Sequence, residues 1–128
     1  MSSASVLTPS DEVLTRADVL SEDELDHLPA GMIQLSRDGT ILQFNAVESQ
    51  LGGVAKNDAV GKSFFDDVAP CTKVKQLHGT FVEGVRKRDL HTHFPYEFKF
   101  RDGRRKDVVI SMFYSGTTDT VWVMVQRP

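Results

Sequence analysis

Between residues 91 and 100, ring-bearing side chains fall on every second position: Phe94, Tyr96, Phe98 and Phe100 alternate with Pro95, Glu97 and Lys99. Strict alternation is the period of a β-strand, in which successive side chains point to opposite faces. A helix would scatter these rings around its axis. The chain is therefore expected to build a sheet with one aromatic face turned toward other packed elements. Asp102-Gly103 reads as a turn into a second apolar run at 106–114. Ser115-Gly116 and residues 117–119 make a looser connection into a third run at 120–126.

The same period appears earlier. Met32-Ile33-Gln34-Leu35 and Ile41-Leu42-Gln43-Phe44 flank Asp38-Gly39, which reads as a β-hairpin with an Asp-Gly turn. Asn45 then caps a short helix over 46–51 that Gly52-Gly53 stops, and residues 57–61 form a single helical turn closed by Gly61. Val74, Leu77, Phe81 and Val85 recur at three- and four-residue spacing, predicting a helix over 74–88. Two strands, a helical middle and three more strands give an α+β architecture: a five-stranded antiparallel sheet flanked by helices.

Ahead of the hairpin, Met1 to Thr8 are small and polar and are expected to fray. Pro9-Ser10-Asp11 can start a helix with Ser10 or Asp11 as its cap. Ser21 and Glu24 have capping-box spacing, with Leu25 and Leu28 on one side and Pro29 and Gly31 as the stop. Residues 10–28 thus read as two short helices separated by Val19 and Leu20. They are too poor in apolar residues to fold alone, so residues 1–29 are expected to lie as a low-stability helical cap on a core spanning 30–128.

At 128 residues the chain is one domain, long enough to bury a core. A formal net charge of −3 carries no footprint for nucleic acid, and no apolar run reaches a membrane span. One cysteine cannot form an internal disulfide, which fits a reducing compartment. The expectation is a cytoplasmic monomer without a nucleic-acid or membrane partner.

That cysteine, Cys71, follows Pro70, whose fixed φ stiffens the approach to it. The residues alone leave two readings open: a small buried hydrophobe, or a thiol presented for chemistry. His78 lies seven residues on, so a Cys–His nucleophilic pair and a haem-binding histidine are weaker readings, without a visible activating constellation. His91 and His93 share a strand face, but two ligands are too few for a structural zinc site, and no metal is expected.

The stretch Val60-Gly61-Lys62-Ser63-Phe64-Phe65 with Asp67-Val68-Ala69-Pro70-Cys71-Thr72 resembles the chromophore-attachment segment of the photoactive yellow protein family. Gly31 to Leu35, Asp38 to Glu48, Gly79, Phe81, Gly84, Leu90, Thr92, Phe94, Tyr96, Phe98 and Trp122-Val123 continue the likeness, which covers about residues 25–127. The resemblance implies a PAS domain and a blue-light receptor. It implies that Cys71 carries p-coumaric acid (4-hydroxycinnamic acid) through a thioester, with the Cys71 backbone N–H donating to the thioester carbonyl. It implies a buried, protonated Glu48 that donates to the chromophore's phenolate oxygen and yields its proton after trans–cis isomerisation. The N-terminal cap then rearranges to signal to a downstream protein not identifiable from sequence.

Three positions depart from the family. Phe44 stands where the family has tyrosine, Gly52 where it has threonine and Val54 where it has arginine, so three polar groups near the ring are lost. Fewer donors imply a longer-wavelength or broader band and a higher chromophore pKa. Ala69 and Tyr96 are the preferred wall residues by resemblance. Ile33, Phe64, Val68, Thr72, Phe98 and Phe100 (in place of a family tyrosine) are further candidates, each read more readily as plain core packing. The competing function is a light-silent PAS module for ligand binding or protein interaction. A cysteine hydrolase using Cys71 and His78 is the third reading.

Overall fold

The computed structural model describes residues 9–99 and 103–127. Met1 to Thr8, the Ser10 side chain, Phe100 and the turn residue Asp102 lie outside the described residues. Five strands form one antiparallel sheet: β1 (Gly31–Leu35), β2 (Ile41–Phe44), β3 (His91–Lys99), β4 (Arg105–Ser115) and β5 (Thr120–Gln126), in the order β2-β1-β5-β4-β3. The alternating run is β3, with Phe94, Tyr96 and Phe98 on its inner face and Phe98 opposite Lys106. The Asp38-Gly39 turn forms as expected, Gly39 taking φ +88°, where a side chain would be strained.

α1 (Pro9–Thr15) and α2 (Glu22–Asp26) precede the sheet, separated by a 3₁₀ turn at Ala17–Val19. Ser21 and Glu24 make the capping box in both directions, at 3.1 and 3.0 Å. α3 (Ala46–Gly52) and α4 (Lys56–Ala59) follow β2, and α5 (Thr80–Lys87) precedes β3. The single helix expected over 74–88 is corrected in its first half. Val74 is extended and 44% exposed, and Lys75–Gly79 forms a wide π turn before α5 begins. Leu77, Phe81 and Val85 still reach the core, because the wider turn keeps them on one side.

The sheet has two apolar faces. Ile33, Leu35, Val121, Val123 and Val125 point toward Phe64, Phe65, Leu77 and Phe81. Their neighbours Met32, Trp122 and Met124 point the other way, onto Leu14, Ala17, Leu25 and Ala30 of the N-terminal segment. This explains the uninterrupted apolar run of β5: a strand covered on both sides loses its polar alternation. Among the described residues no helix is long and apolar enough to cross a membrane.

The N-terminal segment is also tied by one carboxylate. Asp18 accepts from Trp122 Nε1 at 2.7 Å, from Thr118 at 3.1 Å and from the Ser115 hydroxyl. Asp18→Ala removes the acceptor for three donors at once. A destabilisation of about 1–3 kcal/mol is expected, with Trp122 emission moving to longer wavelength as water reaches the indole. Unchanged emission and melting temperature would show that the apolar contacts alone hold the segment.

Candidate functional site

A cavity of about 740 Å³ lies between the inner face of the sheet, α3, α4 and the turns at 64–72. Its size is in the range that takes a small organic ligand. The sequence makes this space by refusing regular helix around it. Gly53, with φ +69°, ends α3 after two turns. Phe64–Val68 is a π turn, in which Val68 and Ala69 donate to the carbonyls of Ser63 and Phe64, five residues back. Pro70 then opens a 3₁₀ turn, Pro70–Thr72, and places half-buried Cys71 on the cavity lining.

Glu48 reaches the same cavity from α3 and is only 6% exposed. Its Oε1 is buried with no hydrogen-bond partner. Burial, with no cation beside it, pushes the Glu48 carboxyl up to about 8, so the acid is largely protonated at neutral pH. Gly31 makes room for this carboxyl: a β carbon there would lie 2.2 Å from Oε1.

The start of α3 is held by Asn45, which is 3% exposed. Its Oδ1 accepts from Glu48 N and Met32 N, both at 2.9 Å, and its Nδ2 donates to the carbonyls of Leu25 at 2.7 Å and Ala30 at 3.0 Å. The sequence marks Asn45 as a helix cap; its amide reach back to α2 has no local signature. Asp26 adds a second link, accepting from Ala46 N at 2.8 Å and Lys56 Nζ at 2.6 Å.

Of the expected site residues, Cys71, Glu48, Phe44, Phe64, Val68, Ala69 and Phe98 all line the cavity. Ile33, Thr72 and Tyr96 do not. Ile33 is fully buried in the core behind it. Thr72 is also fully buried, and its hydroxyl donates to the Ala69 carbonyl at 2.6 Å, closing the turn. Tyr96 Oη donates to the Cys71 carbonyl at 2.7 Å, which holds the turn from the side. Gly52 and Val54, two of the departures from the family pattern, line the cavity with Phe44. His78 is outside the lining, its ring edge-on to Phe65 at 4.7 Å. His91 faces Asp11 at 3.1 Å and the Phe113 ring, and no metal-ligating cluster forms among the described residues.

A sheet of this order, with short irregular helices walling a cavity on one face, defines the PAS class, and the PAS fold family model matches residues 22–128. The photoactive yellow protein of Rhodothalassium salexigens is 40% identical over 84% of this chain and 86% of its own. That of Halochromatium salexigens is 37% identical over 92% and 94%. Among solved structures, the photoactive yellow protein domain of the sensor histidine kinase Ppr from Rhodospirillum centenum superposes with a TM-score of 0.82 at 34% identity, covering 88% of this chain and 97% of that one. The PAS domain of the RpfR quorum-sensing receptor from Cronobacter turicensis is similar in fold alone, at 14% identity and a TM-score of 0.64. The chain belongs to the photoactive yellow protein family.

Proposed function

We propose that this protein is a blue-light photoreceptor that carries p-coumaric acid on Cys71 as a thioester. The observation that carries the reading is the pairing, in one cavity, of the only thiol in the chain with a buried carboxyl whose Oε1 has no partner. An extended phenolic acyl group fits such a site: it needs one attachment point and a hydrogen bond at its far end. When bound, that group supplies absorption in the blue and light-driven isomerisation of its double bond.

The chain's own residues do the rest. Phe44, Phe64, Val68, Ala69 and Phe98 supply apolar wall to the cavity. Tyr96 fixes the Cys71 turn through its carbonyl, so the sulfur is presented from a braced segment. Glu48 holds a proton because its carboxylate is poorly solvated. Once it yields that proton, a buried charge without a partner is left, at a cost of several kcal/mol. Moving α3 relieves that cost, and α3 begins at Asn45, which also holds the carbonyls of Leu25 and Ala30. The N-terminal segment is therefore the element that loosens, and its release is the signal to a downstream protein in the cytoplasm.

The test is to treat the apoprotein with an activated ester of p-coumaric acid and record visible absorption before and after blue light. The expected result is a band that bleaches and recovers, and that is absent in Cys71→Ala. No band, with the Cys71 thiol still free by mass, would instead leave a light-silent PAS ligand-binding or interaction module.

A further inference from the structure

The face of the sheet under the N-terminal segment carries a polar line through its apolar residues. Gln34 in β1 and Thr120 at the start of β5 are both buried, and alternation puts them on the side of Met32, Trp122 and Met124. A buried polar group needs a partner, and these two belong to one chain of hydrogen bonds. Gln43 Nε2 in β2 donates to Gln34 Oε1 at 3.1 Å, and Gln34 Nε2 donates to Thr120 Oγ1 at 3.0 Å. Thr120 Oγ1 lies 2.6 Å from Thr118 Oγ1, and Thr118 donates to Asp18 Oδ1 at 3.1 Å. The chain thus runs from β2, across β1 and the start of β5, to the 3₁₀ turn of the N-terminal segment.

Asp18 sets the direction of the whole chain. A carboxylate accepts and does not donate, so the one hydroxyl hydrogen of Thr118 goes to Asp18. Thr118 then accepts from Thr120, whose own hydrogen occupies that bond. Thr120 must in turn accept from the amide nitrogen of Gln34, which turns Gln34 Oε1 toward Gln43. Reversing either glutamine would set two acceptors face to face. Every bond therefore points toward Asp18 while the segment is docked. With Asp18 gone, the exposed Thr118 hydroxyl is free to turn to Thr120 or to water, and both directions of the chain are open.

We propose that this chain is a coupling device, which reads whether Asp18 is docked and passes that state to β2 beside the cavity wall. Its far end is Gln43, and the next residue, Phe44, turns to the opposite face of β2 and lines the cavity. The two directions of the chain supply the discrete states that a coupling path needs. The path is separate from the contacts of Asn45, which hold the carbonyls of Leu25 and Ala30 and not the 3₁₀ turn. Coupling of this kind is reciprocal, so a change at β2 also alters how firmly Asp18 is held. It belongs to the apoprotein and holds whatever Cys71 carries.

The test is nuclear magnetic resonance of the side-chain amides of Gln34 and Gln43 in the full-length apoprotein. Thr118→Ala cuts the chain at an exposed position, while Trp122 and Ser115 still hold Asp18. Both amide resonances are expected to shift and to exchange with water roughly fivefold faster, the factor that corresponds to one net hydrogen bond. Trp122 emission is expected to stay where it is, which separates loss of the chain from loosening of the segment. Ser115→Ala removes a donor to the same carboxylate outside the chain, and is expected to leave both amides in place. In the reverse direction, Gln43→Met is expected to speed exchange of the Leu20 backbone N–H, which closes the 3₁₀ turn on Ala17, by about the same factor. A Gln43 amide that Thr118→Ala leaves unmoved overturns the proposal. So does a Ser115→Ala variant that moves it equally, because general loosening would then account for both.

Discussion

In the apoprotein, Glu48→Gln is expected to raise stability at pH 8 by several kcal/mol while leaving it nearly unchanged at pH 4. The carboxyl has its ordinary value of 4.5 in the unfolded chain and is pushed up to about 8 in the folded one by burial. Below pH 4.5 the acid is protonated in both states and costs nothing extra. Between 4.5 and 8 the unfolded chain releases the proton and the folded chain keeps it, so stability falls as pH rises. Above about 8 the folded carboxyl ionises too and the loss levels off. Each pH unit of that window costs about 1.4 kcal/mol, which sums to an upper limit of about 5 kcal/mol. The cavity's opening to solvent brings the real value below that limit. Glutamine has the same shape and cannot ionise, so its stability should be flat over the window. Denaturant midpoints of both proteins at pH 4 and pH 8 decide it. Parallel curves would mean that water reaches Glu48 and that the acid is not held neutral.

Gly31→Ala carries the second large effect. The added methyl would lie 2.2 Å from Glu48 Oε1 and 3.2 Å from both its β carbon and its carboxyl carbon. The first distance is far inside contact, so the Glu48 carboxyl, at the far end of its side chain, must turn away. The contact with the Glu48 β carbon is relieved only by a shift of a few tenths of an ångström between β1, where Gly31 at the strand start pairs with Val125, and α3, whose start is held by Asn45. Overpacking of this kind costs about 1–3 kcal/mol, and a cost within that range is expected here. The cost should fall below about 1 kcal/mol when Gly31→Ala is made in a Glu48→Ala background, because the colliding oxygen is gone. Unfolding midpoints of the two single variants and the double variant measure the coupling. Additive effects would show that the strand, not the acid, demands glycine at position 31.

Local chemistry made part of the fold legible. The alternating rings of β3, the Asp38-Gly39 turn and the Ser21–Glu24 capping box are short-range patterns, and each forms as its residues dictate. Val74 departs from the helix its spacing suggests, because helical spacing alone does not show where a helix starts; the chain leaves the Cys71 turn extended and enters α5 through a wide turn. In the site, Cys71, Glu48 and Phe44 converge from three elements. Their likeness to a known family pointed to them, while the residues alone favoured a small buried hydrophobe at Cys71 and a solvated helix glutamate at Glu48. Tyr96 and Thr72 lie beside that site but act on backbone: one holds the Cys71 carbonyl and the other the Ala69 carbonyl. A sequence cannot tell a wall from a brace, since both are buried polar groups on a turn or strand.

What this sequence determined by itself is the set of elements and their apolar faces, because alternation, capping and turn chemistry act within a few residues. The double-sided burial of β5, the reach of Asn45 from α3 to Leu25 and the gathering of Lys62, Lys99, Arg104 and Lys106 on the lining of one cavity were decided only by the tertiary structure. Each depends on the distance between residues far apart in the chain, and that distance is set by how the sheet pairs and twists, not by any neighbour in sequence.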